Sequence, residues 1–173
     1  MVLYSMTRIL IIIHLLFIPL YSDGSLYALK GGLLAHSTGP VSSGKEEGVD
    51  IHMELLFNQK FLSAYLSLGA NVNLNGDTSF LYTGLTWESR FLKDIHLGAF
   101  VGFAVHNGEI DSNKEDKRQF GMRILFRTAL DIGYYLRDDV SLNFMYEHYS
   151  HAGLFITRNQ GNDNVGLRLS YYF

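Results

Sequence analysis

The chain is predicted to be all-β: an eight-stranded antiparallel transmembrane β-barrel preceded by a signal peptide. Three observations lead there. Polar and apolar residues alternate with period two in segments that recur about every fifteen to twenty residues, with turn residues between them. The N-terminus carries a short apolar run behind a single arginine. The composition of the 173 residues is 47% hydrophobic and 14% aromatic, with 17 Gly and only 2 Pro, a bias toward strand formers punctuated by glycine.

The N-terminal run is Ile9 to Leu20, interrupted by His14 and Pro19 and preceded by Arg8. It has the size of a signal-peptide core and is too short for a spanning helix. Ser22 and Gly24 are small enough for cleavage nearby. Residues 1–24 are therefore assigned to the signal peptide and residues 25–173 to the barrel.

The strands follow in order. A weaker first strand spans residues 29–36. The second sets Val49, Ile51, Met53, Leu55 and Phe57 against Asp50, His52 and Glu54. The third begins at Leu62 and opposes Leu62, Ala64, Leu66, Leu68, Ala70 and Val72 to Ser63, Tyr65, Ser67, Gly69, Asn71 and Asn73. The fourth opposes Leu81, Leu85 and Trp87 to Gly84, Thr86, Glu88 and Arg90. The fifth opposes Ile95, Leu97, Ala99, Val101, Phe103 and Val105 to His96, Gly98, Gly102 and Ala104. The sixth opposes Ile124, Phe126, Leu130, Ile132 and Tyr134 to Arg123, Arg127, Asp131 and Gly133. The seventh opposes Val140, Leu142, Phe144 and Tyr146 to Ser141, Asn143 and Glu147. The eighth opposes Val165, Leu167, Leu169, Tyr171 and Phe173 to Gly166, Arg168 and Ser170. Strands of about ten residues suit a tilted membrane crossing.

Alternation alone does not say which face is inside. A lipocalin-like soluble carrier points its apolar face inward; a transmembrane barrel shows it to lipid. The export signal, the aromatic strand ends and the terminal Phe173, which resembles the C-terminal assembly signal of bacterial outer-membrane barrels, favour the membrane. Asp50, Glu54, Glu88, Arg90, Arg123, Arg127, Asp131, Glu147 and Arg168 then form an internal network of both signs. Eight strands leave an interior that side chains fill, not an open pore. The expected location is the outer membrane, with the assembly machinery engaged through Phe173.

Composition also excludes functions. A net charge of −3 gives no basic surface and no nucleic-acid partner. Without cysteine there is no disulfide, thiolate metal site or cysteine nucleophile. The spacing of His, Asp and Glu suggests no metal set, so no cofactor is expected. The charged run Asp111, Lys114, Glu115, Asp116, Lys117 and Arg118 reads as a solvated loop; a second reading lets Lys114, Lys117 and Arg118 touch lipid phosphates.

Strand seven carries a polar pair on its apolar face. His148 and Ser150 share parity with Val140, Leu142, Phe144 and Tyr146, and Asp163 shares parity with Val165 to Phe173. Antiparallel counting brings Asp163 level with residues 148–150, and paired strands lie about 4.8 Å apart. Serine, histidine and carboxylate are the components of a nucleophilic hydrolase site: Ser150 attacks, His148 takes its proton, and Asp163 orients the imidazole. An outward site suits a substrate that itself resides in the outer leaflet.

The stretch His148-Tyr149-Ser150-His151-Ala152-Gly153, followed by Asn159-Gln160-Gly161-Asn162-Asp163 and a final aromatic, resembles the lipid A 3-O-deacylase (PagL-type) family of outer-membrane barrels. The resemblance implies an esterase that removes the 3-O-linked acyl chain from lipid A of lipopolysaccharide. It implies His148 as base, Ser150 as nucleophile, Asp163 in the place of a carboxylate that is usually glutamate, and Asn159 at the oxyanion hole beside the backbone at Ala152 and Gly153. His151 stands where the family commonly has asparagine, and the loop before the acid is one residue longer. The competing expectation is a non-catalytic small outer-membrane barrel of structural or adhesin type.

Overall fold

A computed structural model of the protein describes residues 25–42, 44–111, 114–153 and 159–173; the predicted signal peptide lies outside the described residues. Eight strands run in sequence order: β1 (Leu26–Ala35), β2 (Val49–Phe61), β3 (Ala64–Asn73), β4 (Phe80–Phe91), β5 (Ile95–His106), β6 (Ile124–Arg137), β7 (Val140–Ser150) and β8 (Asn162–Tyr172). Each pairs antiparallel with the next, and β1 pairs with β8, closing the barrel. Closure leaves no free sheet edge, the condition for a sheet to cross lipid.

The connections differ at the two ends. One rim has the tight links 62–63, 92–94 and 138–139; the other carries 36–48, 74–79, 107–123 and 151–161. Leu62 and Ser63, placed by alternation in the third strand, form the first tight turn instead. Both have positive φ, at 51° and 64°, the pair of left-handed residues that matches the twist of a two-residue hairpin.

The alternation resolves into two surfaces. Leu33, Met53, Phe103, Leu130, Phe144 and Leu167 are all more than half exposed, at 59%, 57%, 55%, 62%, 51% and 55%. Away from the strand ends, the polar set of each strand is inside. This orientation is opposite to that of a soluble lipocalin-like carrier and gives the barrel an apolar outer band.

The lumen is packed with paired charges. Arg168 donates to Asp131 at 2.7 Å and to Glu54 at 3.1 Å. Arg127 donates to Glu147 at 2.9 Å while its guanidinium stacks over Tyr82 and Phe100 at 3.7 and 4.1 Å from the ring centroids. Lys30 binds Glu88, which also accepts from Tyr172. Above them Tyr149 stacks on Phe80 with centroids 3.9 Å apart. Asp50, Glu54, Glu88, Arg127, Asp131, Glu147 and Arg168 thus form the expected network. His52 and His96, assigned to the polar faces of their strands, join it as well, and so does Lys30, which the alternation did not single out. Arg90 and Arg123 do not belong. Arg90 lies beyond the lumen at the tight-turn rim, paired with Asp138; Arg123 is exposed at the opposite rim, donating to the carbonyls of His106 and Gly108. Each sits at a strand end, where parity no longer dictates direction.

The β1–β2 connection, 36–48, is rooted by His36, whose ring meets Asp50 at 2.9 Å and Glu46 at 3.3 Å. Burial alone would lower this imidazole, but the hydrogen bonds to Asp50 and Glu46 prevail and push it up to about 9. A raised folded-state value means that stability is fully present below about 6.5 and lost as pH climbs through about 9.

Three tests follow from this architecture. Arg168→Ala removes the guanidinium that Asp131 and Glu54 share and is expected to destabilise by about 3–5 kcal/mol, measured by urea unfolding in micelles. Leu167→Arg, at the middle of β8 on the outer face, should cost about 2–4 kcal/mol in a bilayer, whereas a barrel with water outside would tolerate it. His36→Gln removes the charge that roots the loop. Trypsin cleavage after Lys45 should be faster than in the wild type at neutral pH, with the ratio falling toward one as pH passes about 9.

Candidate active site

The β7–β8 register fixes the site. His148 lies directly opposite Asp163, and Tyr149 opposite Asn162. Two residues along β7, on the same face, is Ser150. Tyr149, between them, points into the lumen and is fully buried. Strand pleating therefore puts His148 and Ser150 on the outer wall, at the rim with the long connections.

The three side chains form a hydrogen-bonded line. His148 Nδ1 is 2.5 Å from Asp163 Oδ1, and His148 Nε2 is 3.0 Å from Ser150 Oγ. With Nδ1–H donating to the carboxylate, Nε2 carries the lone pair and accepts from the serine hydroxyl. Asp163 is one methylene shorter than glutamate, and direct cross-strand pairing with His148 supplies the missing reach. The imidazole is partly exposed, with a relative side-chain accessibility of 22%, while the acid side chain is fully covered.

After Ser150 the strand ends. Ala152 and Gly153 both take positive φ, 55° and 68°. A left-handed conformation costs a non-glycine residue roughly 1–2 kcal/mol, and such strain persists where the surroundings hold it. Ala152 and Gly153 form a turn directly after Ser150, and both are exposed. Asn159 turns its amide oxygen to the backbone N–H of His151, at 3.4 Å. That leaves the Asn159 amide nitrogen as the donor side of the group. His151 is buried, at 1% exposure, and so does not share the outer face with His148.

The covering of Asp163 comes from elements that side-chain patterning did not single out. Its second oxygen, Oδ2, accepts the backbone N–H groups of Val41 and Ser42 at 2.7 and 2.9 Å. Arg118, read from sequence as part of a solvated run, is only 2% exposed and donates to Ser37, Gly44, Gln160 and Gly161. It is therefore not free for a lipid phosphate. A buried arginine within a charged run carries no sequence signal that separates it from its solvated neighbours. Among the described residues no group of three or more His, Asp or Glu could hold a metal ion.

Several known structures share this barrel. The crystal structure of the outer membrane enzyme PagL superimposes with a TM-score of 0.59 at 16% identity, covering 83% of this chain and 99% of that one. The N-terminal β-barrel domain of Pseudomonas aeruginosa OprF gives 0.58 at 12% identity, covering 86% and 98%. Neisserial surface protein A gives 0.53 at 9%, covering 86% and 97%. At these identities the likeness is one of fold. No curated protein matches the sequence. The sequence itself matches the lipid A 3-O-deacylase (PagL) family over residues 20–172, nearly the whole chain, and the protein belongs to that family.

Proposed function

We propose that this protein is an outer-membrane esterase that removes the 3-O-linked acyl chain of lipid A, with Ser150 as nucleophile, His148 as general base and Asp163 as orienting acid. The observation that carries the reading is the hydrogen-bonded line Asp163–His148–Ser150 on the lipid-facing wall. Family membership favours it over a non-catalytic structural or adhesin barrel.

The chemistry follows from the geometry. Lipid A occupies the outer leaflet and reaches the site by diffusing along the membrane plane. Ser150 Oγ attacks the ester carbonyl carbon as His148 Nε2 takes its proton, and the carbonyl oxygen becomes an oxyanion. The Asn159 amide nitrogen and the backbone N–H groups at Ala152 and Gly153 are the donors assigned to that oxyanion. The imidazolium, held by Asp163, returns the proton to the departing sugar oxygen. Water, deprotonated by His148, then hydrolyses the acyl-Ser150 ester and releases the fatty acid. No metal enters these steps.

The outer wall offers room for the chain that leaves. An open apolar groove of about 730 Å³ includes Tyr146, one outward step below His148, with Leu130, Ala99 and Trp87. These four residues follow one row of strand pairings around the wall. An acyl chain laid there exchanges lipid contacts for protein contacts at little cost. Phe173, exposed in step with Leu169 and Tyr171, is read as the handle for the outer-membrane assembly machinery.

The direct measurement is mass spectrometry of lipid A after incubation with the folded protein. Loss of one 3-O-linked acyl chain is expected; unchanged lipid A, under conditions where a known family enzyme is active, overturns the assignment. Ser150→Ala and His148→Ala should abolish release while the barrel retains its heat-modifiable migration. Asp163→Ala should retain about one to two orders of magnitude more activity than Ser150→Ala, since an orienting acid is the least costly member of such a triad to lose. Asn159→Ala should lower kcat by about 10²–10³.

A further inference from the structure

We infer that the β1–β2 connection and Arg118 together form a positioning device for Asp163, which fixes the plane of its carboxylate against His148. The inference rests on the triad reading above and adds residues to it that do not touch substrate.

The loop encloses the acid on several sides. Asp163 Oδ1 faces His148; Oδ2 takes the amides of Val41 and Ser42. Its backbone is held too, with Thr38 N–H donating to Asp163 O at 2.8 Å and Asp163 N–H donating to Ser42 O at 3.1 Å. With both carboxylate oxygens committed, rotation about the last side-chain bond is blocked, and Oδ1 stays aimed at Nδ1. Gly39 lies flush against the same side chain. A Cβ there would come within 2.3 Å of Asp163 Cβ and 2.7 Å of Oδ2. Gly39 is not among the positive-φ residues, so closeness to the acid, not backbone conformation, demands glycine.

A loop of this length does not hold such geometry unaided. Arg118, reaching over from the β5–β6 connection, supplies the tie. Its Nε donates to Ser37 Oγ at 2.8 Å and its Nη2 to Gly44 O at 2.7 Å, gripping the loop on either side of Val41 and Ser42. Its Nη1 donates to Gly161 O at 2.7 Å and Gln160 O at 3.1 Å, gripping the chain just before the acid. The arginine's own backbone N–H donates to Glu46 Oε1 at 3.2 Å. One planar fork thus joins the clamp to the segment that carries Asp163. A lysine has no such fork and cannot satisfy these separated acceptors together.

The test is a double-mutant cycle on the refolded full-length barrel. The readouts are the rate of Ser150 labelling by an alkyl fluorophosphonate and the kcat and KM for lipid A. Gly39→Ala, Arg118→Gln and Arg118→Lys should each slow labelling and lower kcat by about tenfold or more with KM nearly unchanged, because misplacement of a supporting group acts on the chemical step. In an Asp163→Ala background the same substitutions should change the residual labelling by less than about twofold, since groups that act through one residue are not additive with its loss. Equal losses in both backgrounds, or none in the wild type, overturn the inference. If Gly39→Ala fails to show heat-modifiable migration, the two Arg118 cycles decide. A wild type that is labelled at Ser150 but leaves lipid A intact removes the substrate assignment and leaves the clamp standing; a wild type that is not labelled removes both.

Discussion

An eight-stranded barrel in lipid has one constraint that orders everything else: the surrounding hydrocarbon holds no water, so charged and polar side chains turn into a narrow interior where they pair with one another. The lumen meets it with opposed charges: Lys30 on Glu88, Arg127 on Glu147, and Arg168 between Asp131 and Glu54. Such pairs add little net stability compared with apolar packing, but each becomes costly to break once buried. They specify one register, because a slip by one residue would carry every charge into lipid. They also fill the space a substrate would need. Chemistry on a lipid is thereby confined to the outside.

On the outer wall, reactive groups must be polar yet face hydrocarbon, and only the rim tolerates that conflict. His148 and Ser150 sit on the last outward positions of β7, at the rim with the long connections. The register that secures the lumen also sets His148 against Asp163. A single strand pairing therefore links the stability of the interior to the geometry of the site: Glu147 and Asn164, neighbours of His148 and Asp163, are hydrogen-bonded to each other inside the barrel at 2.7 Å. The inward partners lock the outward ones.

Much of this was readable from alternation. Strand number, which residues share a face, and the level of Asp163 against residues 148–150 follow from counting, because side chains in a strand switch sides at every step. Which face meets lipid was read from the export signal and the aromatic strand ends instead. Readings failed where that rule ends. Leu62 and Ser63 continue the apolar–polar pattern and yet form a turn, since neither carries the Asn-Gly signal that usually announces one. Arg90 and Arg123 have lumen parity but sit at strand ends, free to bend toward the rims. Lys30, in the weakly patterned first strand, was passed over although it lies inside. The clamp on Asp163 was out of reach for a different reason. Val41 and Ser42 act through backbone N–H groups, which every residue but proline has, and Gly39 acts through the side chain it lacks.

The shorter acid gives the clamp its physical sense. A glutamate brings an extra rotatable bond and can search for the imidazole from a less determined backbone. Aspartate has less reach and depends on where its Cα is held. Here the Cα is set by β7–β8 pairing on one side and by Thr38 and Ser42 on the other, and the carboxylate plane is set by Val41 and Ser42. Reach has been exchanged for anchorage. A loop that anchors the acid must then be anchored itself, first at its root by the charged contacts of His36 and then across its span by Arg118. Residues far apart in the chain thereby converge on one carboxylate, and the precision of the triad depends on a connection that contributes no side chain to it.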